Sequence, residues 1–185
     1  MNQVGMIFAG AAVIGIGWAV IGYNRLVRLR QAVRGAWAQI DVQLTRRHDL
    51  IPNLVEVVRG YLAHERQTLE NVATARARAV QAQGMAGRQE AENVLTQTLR
   101  SLFVVVERYP VLQASQNMLS LQEELTSTEN RIAFARQFYN DEVVRLNTLI
   151  QSVPLKYLAA IAGLQPAEFF QIDDPAHRAV PSVRL

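Results

Sequence analysis

The chain of 185 residues contains no cysteine. That removes disulfides, thiolate zinc sites, iron–sulfur clusters and a cysteine nucleophile together, and it leaves the redox compartment unmarked. Lysine is almost as scarce: 18 of the 19 basic residues are arginine, and Lys156 is the exception. Net charge is only +3, too little for a nucleic-acid footprint unless it is concentrated. It is concentrated, because Arg25, Arg28, Arg30, Arg34, Arg46 and Arg47 face only Asp41 and give residues 25–47 a charge of +5. Nucleic-acid binding also wants aromatics interleaved with the basic residues, and only Trp37 is near. No nucleic-acid partner is expected.

Catalytic signatures are missing as well. There is no GxxxxGK[ST], GxGxxG, GxSxG or HExxH pattern,. The histidines are His48, His64 and His177. His48-Asp49 and His64-Glu65 are adjacent pairs, and neighbours in a helix point to different faces. His48 therefore reads as a surface or kink residue. The sequence supports no catalytic residue, no metal, no cofactor and no enzyme.

Charge is also absent from residues 1–24, and residues 4–22 form an apolar run. As a helix, that run is roughly 29 Å long, about the thickness of a hydrocarbon core. A signal peptide would carry a basic start and a shorter apolar stretch. The run is therefore read as a transmembrane helix. Arg25, Arg28, Arg30 and Arg34 follow it closely, in reach of anionic headgroups, and none precedes it. By the positive-inside rule the N-terminus lies outside and the rest of the chain in the cytoplasm. Trp18 and Tyr23 sit where an interfacial aromatic belt would. Ala11, Gly15, Ala19 and Gly22 fall on one helix face. Such a face lets membrane helices pack closely, although small residues are common in these helices in any case.

Beyond Asn24 the apolar period is helical throughout. Leu26, Leu29, Val33, Ala36, Ile40 and Leu44 form a first stripe. With no proline before Pro52, the membrane helix is expected to run straight into it. Pro52 predicts a kink or a break, since it removes a donor and crowds the carbonyl four residues back. A second stripe reads Ile51, Val55, Val58, Leu62, Leu69, Val72, Ala75 and Ala79. Residues 81–87, with Gly84 and Gly87, predict a loop. A third stripe, Ala91, Leu95, Leu99, Leu102 and Val106, stops at Tyr109-Pro110. The last long helix is expected over 114–152, with a near-heptad seam through Leu121, Leu125, Thr128, Ile132, Ala135, Tyr139, Val143, Leu146 and Ile150. A short helix over 157–162 should end at Gly163. The fold class is all-α: a transmembrane helix (4–22) continuing into an antiparallel four-helix-bundle-like domain (23–164), then a proline-containing tail (165–185).

Two polar sets accompany the last seam: Glu124, Thr128 and Arg131, and Glu129, Arg136, Asn140 and Asn147. Buried charges must be paired. The sets are therefore either a network that fixes helix register or an oligomer contact, or else a solvated face with pairs along the helix. Leu155–Phe170 offers a further apolar segment. Its Tyr157, Leu158, Ile161, Leu164, Phe169 and Phe170 can dock on the bundle or on a neighbour.

Several runs carry a family resemblance. They are Tyr23-Asn24-Arg25-Leu26-Val27, Ala36-Trp37-Ala38-Gln39-Ile40-Asp41-Val42-Gln43-Leu44, and Arg46-Arg47-His48-Asp49-Leu50-Ile51-Pro52-Asn53-Leu54-Val55. Glu107-Arg108-Tyr109-Pro110 continues them, and they are densest from Leu121 to Ala133 and from Ala135 to Asn140. The chain resembles the LemA family over about residues 5–172. Gln113, where the family more often has lysine, and Val153, where phenylalanine usually precedes the proline, depart from the pattern. The resemblance implies a membrane helix, a helical bundle and no established enzymatic activity. It also implies frequent genetic proximity to a membrane zinc metalloprotease of the HtpX type and relatives among magnetosome proteins. Two functions are then expected for a single-pass protein of the bacterial inner membrane. One is a self-assembling homo-oligomeric scaffold in the bilayer; the other is an adaptor or regulator of such a metalloprotease or another membrane partner.

Overall fold

A computed structural model of the chain describes residues 3–61 and 65–171. Leu62 of the second stripe, His64, His177 and the tail beyond Gln171 lie outside the described residues. Every regular element among the described residues is helical: α1 (Gln3–Arg59), α2 (Arg66–Gln81), α3 (Gly84–Val106), α4 (Pro110–Gln113), α5 (Gln116–Gln151) and α6 (Leu155–Ile161).

The apolar run and the first stripe are a single helix, α1, as the absence of an early proline predicts. Its N-terminal part is long and apolar enough to cross a membrane. Ile7, Phe8 and Ile14 there are more than 70 % exposed, so none of the described residues covers them.

Pro52 does not break α1, which runs through it to Arg59. Proline at this position leaves the carbonyl of His48, four residues back, without its helical donor. Arg76 supplies one from α2: its Nε–H donates to the His48 carbonyl at 2.7 Å. The expected break is thereby healed by a side chain from another helix. The true interruption comes later, at Gly60 and Tyr61, which form a turn. The expected loop at 81–87 shrinks to Ala82 and Gln83, and Gly84 opens α3 at φ +72°. That left-handed value suits a residue without Cβ. The β-prone Phe103–Val106 is helical, as its flanks dictate. Pro110 takes the first position of α4, where a missing donor costs nothing.

The chain divides into two compact units. Among the described residues, one comprises Ile40–Phe134 with Phe170 and Gln171. Its core is shared by four long helices: Ile51, Leu54 and Val58 of α1, Leu69, Val72 and Ala75 of α2, Leu95, Leu99 and Leu102 of α3, and Met118 and Leu125 of α5. This is the bundle-like packing the stripes predict. The short α2–α3 link makes those two helices antiparallel neighbours. Truncating a fully buried leucine such as Leu54 or Leu95 to alanine costs about 2–5 kcal/mol,.

The other unit takes in the chain up to Gln39 and Ala135–Phe169. Leu26, Val33 and Ala36 of α1 are buried in it, as are Tyr139, Val143, Leu146 and Ile150 of α5. Trp37 meets Tyr139 edge-on, with ring centroids 5.6 Å apart. α6 ends in a Schellman motif, with Leu164 N–H donating to the Ala159 carbonyl at 3.0 Å and Gly163 at φ +63°,. The segment after it has no regular secondary structure and is tied to α5. Asn147 donates to the Ala167 carbonyl at 2.9 Å and accepts from the Ala167 N–H at 2.8 Å. The Tyr139 hydroxyl donates to the Glu168 carbonyl at 2.8 Å.

Replacing Arg76 with methionine should leave the His48 carbonyl buried without a donor. A loss of about 1–3 kcal/mol is expected in chemical denaturation of the detergent-solubilised chain. Hydrogen exchange should quicken first around Asn53–Val58.

Candidate functional site

Arg47 is the largest fully buried side chain, with 1 % of its surface exposed. Continuing the first stripe explains why. Ile40, Leu44, Arg47, Ile51 and Leu54 advance by steps of four, three, four and three, so Arg47 sits on the core face of α1. On α3 the steps from Glu92 to Leu95, Leu99, Leu102 and Val106 are three, four, three and four. Glu92 is therefore a core position too, and it is 1 % exposed. The two helices place opposite charges at the same level.

Arg47 Nη2 donates to Glu92 Oε2 in a short, buried ion pair. Arg47 Nη1 donates to Glu129 Oε2 of α5 at 2.8 Å and to Thr96 Oγ1 of α3 at 3.1 Å. The second Glu92 oxygen, Oε1, lies 2.7 Å from His48 Nε2. Burial drags the Arg47 guanidinium below its ordinary range, and Glu129 pulls it back up. Guanidinium keeps its proton regardless. One cation thus gathers two carboxylates and a hydroxyl from α3 and α5.

His48 is buried rather than at the surface, correcting the sequence reading. Its pKa falls from 6.5 to about 4, first through burial and then through the charges of Arg47 and Arg76. At neutral pH the ring is uncharged and donates Nε2–H to Glu92. The same residue offers its carbonyl to Arg76. Around this centre, Arg88 pairs closely with Asp41, and exposed Arg46 reaches Glu124 at 3.8 Å. The latter adds little, as open ion pairs do.

The residues singled out from sequence divide accordingly. Glu129 joins the buried cluster. Thr128 is buried and donates its hydroxyl to the Glu124 carbonyl at 2.8 Å. Arg131 is exposed, in a shallow groove along α5 beside Glu123, Ser127 and Phe134. Arg136 and Asn140 are half-buried, and Asn147 holds Ala167. Arg25, Arg28, Arg30 and Arg34 are exposed on α1. Ala11 and Gly15 are open, with nothing within 4 Å of a Cβ built on Gly15, whereas Gly22 is packed against Leu155 and Leu158 of α6. Arg47, Glu92, Thr96 and Arg76 carry the centre, and no sequence motif joins them as a set. The heptad steps through Arg47 and Glu92 were the signal that marks two of them.

The arrangement is suited to holding helices in register. Sliding α3 by one turn along α1 would leave Glu92 in the apolar core without Arg47. The cluster's carboxylates are engaged by Arg47 and His48. Among the described residues no group of three or more His, Asp and Glu side chains is placed to hold a metal ion.

Two outcomes test this centre. Glu92→Leu should cost about 3–5 kcal/mol by stranding the buried Arg47 charge, and Arg47→Met in the same chain should recover most of it. The second concerns pH. As pH falls from 6.5 towards about 4, the unfolded chain protonates His48 and the folded chain does not. Stability should therefore be complete above pH 6.5 and decline through that window. His48→Gln should flatten the decline, as read from denaturation midpoints at several pH values.

Comparison with known proteins accords with this architecture. The family described as LemA matches residues 36–185, which contain the whole ion cluster. The magnetosome proteins MamQ 1 and MamQ 2 of Paramagnetospirillum magneticum are each 27 % identical over 175 residues. MamQ of Magnetospirillum gryphiswaldense is 25 % identical over 174 residues. Each comparison covers 80 % of this chain and 64 % of the relative, so the chain spans a little under two thirds of the curated relatives it matches. Because the family match takes in well over half of the sequence, from the α1 core stripe to the tail, the chain belongs to the LemA family.

Proposed function

We propose that this chain is a non-enzymatic, single-pass membrane protein that self-assembles into a membrane-anchored scaffold. The observation that carries the proposal is the continuity of α1. One uninterrupted helix bears the uncovered apolar span and the core stripe of the folded region. Packing between spans would then be passed directly into the cytoplasmic part.

The open positions Ala11 and Gly15, with half-buried Ala19 on the same face, supply a surface for close helix approach,. Exposed Arg25, Arg28, Arg30 and Arg34 fit an anionic inner leaflet, at about 1 kcal/mol each,. They orient the N-terminus outward and the rest of the chain into the cytoplasm. The buried ion cluster consumes its carboxylates on Arg47, which suits a structural rather than a catalytic role. Symmetric closure makes a ring or cage the natural product.

A second reading, an adaptor for a membrane metalloprotease or another membrane partner, draws on exposed Phe134 and the groove beside it on α5.

The test is the particle mass of the full chain extracted in detergent, beside Gly15→Leu. A discrete multiple of the subunit mass that falls in the variant supports assembly through the span. A monomer in both rejects the scaffold and directs attention to a protein partner.

A further inference from the structure

The position of α6 on α1 bears on where the membrane ends. Gly22 closes the apolar run and is buried. A Cβ built there would lie 2.5 Å from Leu155 Cδ2 and 3.3 Å from Leu158 Cδ1. α6 therefore lies directly against the last residue of the span. Trp18 and Arg25 bracket the same level of α1, and the stretch between them rises only about 10 Å.

The other side of α6 is apolar and uncovered by the described residues. Leu155, Leu158 and Ala159 face inward, at the spacing of one helix face,. Val153 is 70 % exposed, Tyr157 59 % and Ile161 85 %. From Leu146 to Ala167 the only charged side chain is Lys156, whose Nζ lies 5.4 Å from the Tyr157 ring centroid. An apolar surface with a tyrosine and one snorkelling lysine is the composition of a membrane interface. It is a poor composition for water.

We propose that α6 is a second membrane contact, lying in the headgroup region beside the end of the span with Tyr157 and Ile161 turned into lipid. The proposal rests on residues 4–22 crossing the membrane. The interface would then hold the chain at two places remote in sequence, the start of the cytoplasmic part of α1 and the turn after α5. α6 alone is far too short to span and has no acidic residue to repel an anionic leaflet.

The cysteine-free sequence makes the test clean. Ile161→Cys and Tyr157→Cys introduce single thiols for a polarity-sensitive fluorophore, with Ile14→Cys reporting the span and Phe134→Cys the water-exposed bundle. Each labelled full-length chain, checked for native helicity, is placed in vesicles of phosphatidylethanolamine and phosphatidylglycerol. Nitroxide quenchers are carried on lipids at shallow depth or dissolved in water. The expected result is loss of emission at positions 161 and 157 with the shallow lipid quencher, protection of both from the aqueous one, and the reverse at position 134. A lipid-buried label at position 14 together with water-like labels at 161 and 157 would overturn the α6 contact and leave the span intact. Water-like behaviour at position 14 would overturn both readings.

Discussion

A guanidinium in an apolar core has no solvent to spread its charge, so its neighbours must do so. Arg47 imposes that demand on the helical bundle. Glu92 answers it from α3 and Glu129 from α5, with the Thr96 hydroxyl completing the set of acceptors. Apolar stripes alone would permit helices to slide past one another by a turn at little cost, since leucine packs against leucine in many registers. The buried pair removes that freedom, because only one register brings the charges together. The core is thereby traded for definition: a hydrophobic pair of like volume would hold at least as well, but it would not choose a register.

His48 and Pro52 extend the same logic into the backbone. The imidazole completes the Glu92 carboxylate, and the His48 carbonyl is the acceptor that Pro52 orphans. Arg76 answers the carbonyl and, by its charge, helps keep the ring neutral. One turn of α1 is thus joined to α2 through its His48 carbonyl, held by the Arg76 side chain, and to α3 through the His48 ring. Neutral His48 in this place lets Glu92 keep a single full cationic partner rather than two.

Periodicity made the all-α class legible, along with the fusion of the apolar run to the first stripe and the ends of α3, α5 and α6. These depend on local chemistry: proline, glycine and a repeat of about 3.6. The ion cluster was less legible. Arg47 was visible as part of a basic run, and its place on the seam was hidden by counting charge rather than phase. Ala91 and its neighbour Glu92 compete for the start of the third stripe, and only the heptad steps select Glu92. Pro52 was read from its own chemistry, which does predict a break. The remedy comes from Arg76, on a different helix, and no local rule contains it. Spacing puts Arg131 near the seam, yet it faces out, because near-heptad spacing leaves the flanking positions undecided.

The Arg76–His48 bond also gives α1 a mechanical property. A helix pulled from its C-terminal end unwinds turn by turn, each step breaking one bond within the strand of bonds that made it. In α1 that sequence reaches Pro52 and finds no amide to release. The next restraint belongs to α2, and giving it up means moving a second helix. Fraying that enters at Gly60 therefore meets a stop within two turns, and load applied there is handed sideways into the bundle instead of travelling up the rod.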